Sequence, residues 1–183
     1  IQKELTQDLQ EKIAQHAKYL VSSNSGIIPF TNRNIYETIR NLTNSPPKPV
    51  DIIVPVYNSI HITMECLEKV IERTVWPYHI YIVDDASDNY TNKKLNEFTD
   101  KYSDRVTLLV NKKNKGFCAS VNRGIRAGTS KYVCLLNSDV LVTNMWLTKM
   151  VLALKADEKN QIVVPSTNNI SVVNIPMAQG ASY

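Results

Sequence analysis

The sequence predicts an α/β fold: a mostly parallel sheet flanked by helices, preceded by a helical extension. Two observations predict the sheet. Apolar runs of strand length recur along the chain, near-continuous rather than alternating, as in strands buried on both faces. Between them the apolar residues switch to helical spacing, the alternation of βαβ units. A third observation, the proline cluster Pro46-Pro47-Lys48-Pro49, separates this pattern from what precedes it.

The first 45 residues read as a helical extension. Leu5, Leu9, Ile13, Ala17 and Leu20 form an apolar stripe among Gln, Lys and Glu residues, closed by Ser22-Ser23-Asn24-Ser25-Gly26. A shorter helix is expected over Asn34 to Leu42. Residues 46–49 are the linker, because proline lacks an amide donor and favours extended backbone. The α/β domain then spans 50–183. Its strands are expected at Val50–Val56, His79–Val83, Arg105–Val110, Lys131–Leu136 and Gln161–Val164. The first helix carries Ile62, Leu67, Val70 and Ile71 and breaks at Thr74-Val75-Trp76-Pro77. The later helices are expected over Thr91–Lys101, from Gly116 to Ala127-Gly128, and over Asn144–Lys155.

Composition narrows the partners. With 183 residues, 43% hydrophobic and 21% charged, the chain has enough material for one ordinary globular core. A net charge of +4 suits an anionic small ligand and is too mild to argue for nucleic acid. Cys66, Cys118 and Cys134 are widely spaced, each on a predicted helix or strand, where a free thiol packs as a small hydrophobe. They form no CxxC or Cys/His cluster, so neither a zinc site nor a disulfide framework is expected. No leader pattern or bilayer-length apolar run is present, which predicts a cytoplasmic chain, peripheral to the membrane at most. Sequons at Asn41, Asn89 and Asn169 carry little weight in that setting.

In a right-handed parallel sheet the C-terminal strand ends share one edge, where open α/β sheets bind ligands. Tyr57, Asp84, Asp85, Asn111 and Asp139 all fall just past such ends. Pro55-Val56-Tyr57-Asn58 offers freed backbone groups and an aromatic wall for a base; the plain alternative is a turn with Asn58 or Ser59 capping a helix. Adjacent carboxylates at Asp84 and Asp85 are costly to bury without partners and suit a base imino proton; alternatively Asp85 or Ser87 organises the turn and caps a helix. Lys112-Lys113-Asn114-Lys115-Gly116 precedes a helix whose N-terminal amides favour an anion, although such lysines are commonly just a solvated loop. Small residues around Asn122 and Arg123 allow close approach of a ligand or another backbone. Asn137-Ser138-Asp139, just past a strand, places an amide and a carboxylate where Mg²⁺ or Mn²⁺ would meet a diphosphate, or simply starts a turn.

Taken in order, Asp51-Ile-Ile-Val-Pro-Val-Tyr-Asn58, Ile82-Val-Asp-Asp-Ala-Ser87, Asn114-Lys-Gly-Phe117 with Ser120-Val-Asn-Arg-Gly124, and Leu135-Leu-Asn-Ser-Asp139 resemble the motif series of family 2 glycosyltransferases, which have the GT-A fold. Val164-Pro-Ser-Thr-Asn-Asn169 and Asn174-Ile-Pro176 resemble the continuation in bacterial-type members acting on polysaccharides. The resemblance covers Val50 to about Pro176. It implies a donor site for a UDP-, dTDP- or GDP-sugar, with Pro55, Val56 and Tyr57 around the base and ribose, and Asp85 (or else Asp84) receiving the base. Asn122 and Ser138 complete the implied nucleotide contacts. Asp139 would be the metal-binding aspartate for Mn²⁺ or Mg²⁺, with Asn137 standing where the family usually has Asp.

The implied activity is hexosyl or rhamnosyl transfer, with inversion, to a glycan or lipid-linked acceptor. Residues 161–183 contain no Asp or Glu, so no base for the acceptor hydroxyl is named, and the domain is expected to be truncated on its acceptor side. Two rivals remain: a non-catalytic nucleotide-sugar-binding module, and a sugar-phosphate nucleotidyltransferase. Pro-Val-Tyr-Asn standing in place of a Gly-rich loop counts against the second.

Overall fold

The computed structural model of the protein describes residues 47–165. The helices expected within residues 1–45, the first linker residue and the motifs beyond Pro165 lie outside the described residues. Four strands form one sheet, in the order β3-β2-β1-β4: β1 (Val50–Val56), β2 (Tyr78–Asp84), β3 (Val106–Val110) and β4 (Tyr132–Leu135). Every pairing is parallel, with Val50 opposite Tyr78 and Tyr132, and Ile80 opposite Val106. The helices between and after them are α1 (Ile60–Arg73), α2 (Asn89–Lys101), α3 (Phe117–Ala127) and α4 (Trp146–Lys155).

Strand alternation divides the core between two faces. Val50, Ile52, Val54 and Val56 point with Ile80, Ile82, Val106 and Cys134 into the larger layer, against Cys66, Leu67 and Val70 of α1, Leu95 and Phe98 of α2, and Leu147 and Val151 of α4. Ile53 and Val83 face the other way, onto α3. Helix and sheet approach closely there because residue 124 is glycine: a Cβ at that position would collide with the Ile53 Cγ2 and come within 3.2 Å of a Val83 methyl. On the same face, Val133 and Leu135 of the edge strand β4 remain exposed.

The near end of the linker is anchored to the domain. Trp76, fully buried, donates its indole N–H to the Lys48 carbonyl at 2.9 Å, and the Val50 amide bonds the Pro77 carbonyl at 3.0 Å. At the other extreme of the domain one expectation fails: Gln161–Val164 forms no strand in the structure, and Ile162 is 83% exposed. Its apolar β-branched run satisfies local propensity, but a strand also needs a ladder partner, and none forms among the described residues. Helix α4 begins at Trp146, two residues later than predicted, because Met145 adopts a left-handed conformation (φ 59°) that helical geometry excludes. Cys118 is a further correction. It lies on α3 as expected but is exposed, whereas Cys66 and Cys134 are buried.

Candidate functional site

The C-terminal strand ends meet at one edge, and the backbone there is contorted. Asn58 and Ser59 after β1, and Ala86 after β2, all have positive φ (55°, 51° and 61°), uncommon for residues with a Cβ. Reciprocal hydrogen bonds hold these loops together. The Asn58 amide donates to Ser87 Oγ, and Asn58 Oδ1 accepts from the Asp88 amide, each at 2.9 Å. The helix caps differ from both alternatives read in the sequence: neither Asn58 nor Ser59 caps α1 with its side chain, and α2 is capped by Asp88, whose Oδ1 accepts the Thr91 amide at 2.7 Å. Pro55 is half-buried, Val56 is buried, and Tyr57 projects from the strand end with its side chain exposed.

Asp84 and Asp85 are buried, and each of their carboxylate oxygens accepts at least one hydrogen bond. Asp84 Oδ1 accepts the Ser87 amide, and its Oδ2 accepts the Asn92 side chain, each at 2.9 Å. Asp85 reaches across to the loop after β3: Oδ1 takes the Asn111 side chain at 2.6 Å and the Lys115 amide at 2.9 Å, and Oδ2 takes the Gly116 amide at 2.8 Å. Burial works to raise the Asp85 pKa, but the Lys115 and Gly116 amides and the Asn111 side chain outweigh it and hold the carboxyl below its ordinary value. Gly116, at φ 82°, supplies the left-handed turn that aims its amide at Asp85.

The network continues through Asn111, which the motif series omits, and through Ser120 and Arg123, whose motif gave no sign that they join it. Asn111 Nδ2 also donates to Ser120 Oγ at 3.0 Å, and Arg123 donates to Asn111 Oδ1 at 2.6 Å. The available signal was positional, since Asn111 ends a strand as Asp84 and Asp139 do. Val110, Asn111, Lys112, Lys113, Lys115 and Arg123 line an open cleft of about 530 Å³ carrying four cationic side chains and no acid. Asn122, by contrast, is exposed on α3.

At the opposite side of the sheet, Asn137 and Asp139 are exposed and Ser138 is half-buried. The strand proper ends at Leu135, and the Leu136 amide extends the ladder by one bond, to the Ile53 carbonyl at 3.0 Å. Asn137 to Val140 then form a turn, closed by the Val140 amide on the Asn137 carbonyl at 3.4 Å. Among the described residues no group of three or more His, Cys, Asp or Glu side chains is arranged to hold a metal. One exposed carboxylate and one exposed amide nevertheless fit a cation whose other ligands are phosphate oxygens and water, the usual way Mg²⁺ is held. Neighbouring strands are about 4.8 Å apart, so the β3 end and the β4 turn stand on the order of 14 Å apart, with β2 and β1 between them.

Residues 51–179 match the sequence profile of glycosyl transferase family 2. An uncharacterized glycosyltransferase of Rickettsia felis is 30% identical over 173 residues, covering 90% of this chain and 27% of its own length. WfgD of Escherichia coli, a UDP-Glc:alpha-D-GlcNAc-diphosphoundecaprenol beta-1,3-glucosyltransferase, is 28% identical over 122 residues, 67% of this chain and 43% of its own. The mannosyltransferase PcManGT of Pyrobaculum calidifontis, solved with GDP-Man and Mn²⁺, superposes with a TM-score of 0.56 at 20% identity, covering 80% of this chain and 40% of that one. This likeness shows the GT-A fold. The chain spans less than half the length of each of these relatives.

Proposed function

Because the chain belongs to glycosyl transferase family 2, we propose that residues 50–183 are the donor-binding part of an enzyme that moves a hexosyl or rhamnosyl group from a nucleotide-diphosphate sugar to a glycan or lipid-linked acceptor, with inversion. The observation that carries the reading is the division of labour along one sheet edge. The β2 and β3 ends are closed by a hydrogen-bonded, cation-lined network, while the β4 turn presents open oxygen ligands. A nucleotide lying along the edge has its base over Asp85, its ribose over Pro55, Val56 and Tyr57, and its diphosphate toward Ser138 and Asp139.

Asp85 has room for this role. A carboxylate offers about four lone-pair directions, and the Asn111, Lys115 and Gly116 N–H groups take three. Oδ2, hydrogen-bonded to the Gly116 amide, suits a base imino proton better than Asp84, which is turned toward Ser87 and Asn92. Asn122, exposed one residue before Arg123, stands at the margin of the same cleft. Its cations raise the local concentration of an anionic substrate. Asn137 and Asp139 would hold Mn²⁺ or Mg²⁺, which when bound neutralises charge on the departing diphosphate. The metal found with PcManGT and the UDP-sugar and lipid diphosphate in the name of WfgD are consistent with that donor and acceptor chemistry. Among the described residues no helix is long and apolar enough to cross a membrane. A lipid-linked acceptor would be met from the cytoplasm, at the membrane periphery. With no Asp or Glu in residues 161–183, no acceptor-side base is assigned there.

Calorimetric titration of UDP, dTDP and GDP, each with and without Mn²⁺, tests the reading on the wild type and on Asp139→Ala. One nucleotide is expected to bind more tightly with the metal, and the substitution is expected to cut that gain at least about tenfold. Absence of metal-linked binding for all three would overturn the donor-site reading. Sugar transfer to a glycan or lipid-linked acceptor would exclude the non-catalytic module, whereas metal-linked binding without transfer fits both that module and the donor-binding part of a longer enzyme.

A further inference from the structure

The turn that carries Asn137 and Asp139 is exposed on its outer side, and beyond the Leu136 bond to β1 four anchors reach this stretch from α1 or the residue after it. Cys66, fully buried, places Sγ 3.5 Å from the Asn137 carbonyl, the same oxygen that accepts the Val140 amide. One helical stretch further on, Arg73 donates to the Val142 carbonyl at 2.9 Å, and its own carbonyl accepts the Met145 amide at 3.1 Å. Thr74 Oγ1 accepts the Trp146 indole N–H at 2.9 Å. Four contacts spaced along residues 137–146 thus run to a single rigid support. As a thiol, Cys66 presents one S–H donor to the Asn137 carbonyl.

We propose that α1 is the cradle of the metal turn, with Cys66 as a positioning residue that fixes the backbone of the first ligand, Asn137, and Arg73 as a second clamp on the segment that follows. This rests on the donor-site reading of Asp139 and extends it to side chains that touch neither nucleotide nor metal. The thiol matters here as a hydrogen-bond donor to the backbone that carries Asn137.

Two readouts on the full chain test it: amide hydrogen exchange at Val140, and metal linkage, the ratio of nucleotide Kd without Mn²⁺ to Kd with it. Cys66→Val keeps an apolar side chain of similar size but has no donor. It is expected to speed exchange at Val140 and to lower the linkage ratio about three- to tenfold, the worth of one hydrogen bond, while metal-free nucleotide affinity stays at the wild-type value. Cys66→Ser keeps a donor and should retain both. Arg73→Met, at a partly exposed site, is expected to lower linkage in the same selective way and serves should Cys66→Val fold poorly. Wild-type exchange and linkage in Cys66→Val, or equal losses in the Ser and Val variants, would overturn the proposal. So would unchanged linkage in Arg73→Met. A wild type without metal-linked binding would sink the donor-site reading instead, and exchange at Val140 would then decide whether Cys66 holds the turn.

Discussion

The end of β2 and the turn after β4 bring carboxylates to the same edge of one sheet, yet Asp84 and Asp85 are 1% and 4% exposed while Asp139 stands in solvent. The difference lies in what the chain supplies around them. A buried carboxylate needs donors, and the Ser87, Lys115 and Gly116 amides with the Asn92 and Asn111 side chains provide them. Those bonds in turn shape the loops after β2 and β3. The turn after β4 is tied down through its carbonyls instead, which leaves its side chains free. The supply of nearby donors therefore decides whether an acid at a strand end also carries the architecture of its loops, as Asp85 does, or keeps both oxygens open, as Asp139 does.

Removing Asp85 should break the comparison most severely. Asp85→Ala leaves the Lys115 amide and one Asn111 N–H without their acceptor and the Gly116 amide with Asn114 Oδ1 alone; at roughly 1–3 kcal/mol for each lost partner, a loss of about 2 kcal/mol or more is expected in urea unfolding. Asp139→Ala, measured beside it, should stay within about 0.5 kcal/mol of wild type, as substitutions at exposed sites do. Equal losses from the two would erase the distinction. The same contrast has a pH signature. The Asp85 carboxyl is held below its ordinary value in the fold, so its contribution to stability is present above the unfolded aspartate pKa of about 3.9 and is lost as pH falls through the lower folded value. Asp85→Asn should flatten that acid limb.

Gly124→Ala comes next, with about 1–3 kcal/mol expected from overpacking, read as a lower thermal midpoint. The new methyl would meet Ile53 and Val83, lifting α3 and with it Ser120 and Arg123. Nucleotide affinity should fall as the Asn111 network loosens, and metal linkage, set on the far side of the sheet, should not.

These contrasts also show what was legible in the sequence. The four strands and four helices follow from apolar runs and helical spacing, and they appear within a few residues of their predicted limits. That inventory was readable because each element carries an apolar run or stripe in its own period, although on the edge strand β4 Val133 and Leu135 stay exposed. Gln161–Val164 shows the limit: propensity is local, whereas pairing needs a partner strand that composition does not specify. The candidate site was half legible. Strand ends located Tyr57, Asp84, Asp85 and Asp139 at one edge, but which acid is buried depends on donors from Asn111 and the Lys115-Gly116 backbone, distant in sequence. Likewise Cys66 reads as an ordinary core residue until its distance to Asn137 is known.

The smallest effect on the fold, and the finest probe of the β4 turn, is Asn137→Asp. The side chain is exposed, so a second carboxylate can be added without burying charge, and thermal stability should move by no more than about 0.5 kcal/mol. Two like charges so near each other repel at neutral pH, and a divalent cation between them relieves that repulsion while gaining an anionic ligand in place of a neutral amide. Metal linkage should therefore rise several-fold, and most at low ionic strength, where screening is least. The same substitution in the loop after β3, Asn111→Asp, would replace the N–H groups that Asp85 and Ser120 accept with an oxygen facing the buried Asp85 carboxylate, Arg123 remaining on the other oxygen, and should destabilise the protein instead. A rise in linkage at 137 together with a loss of stability at 111 would show that one change of charge is read as ligand chemistry at one strand end and as architecture at the other.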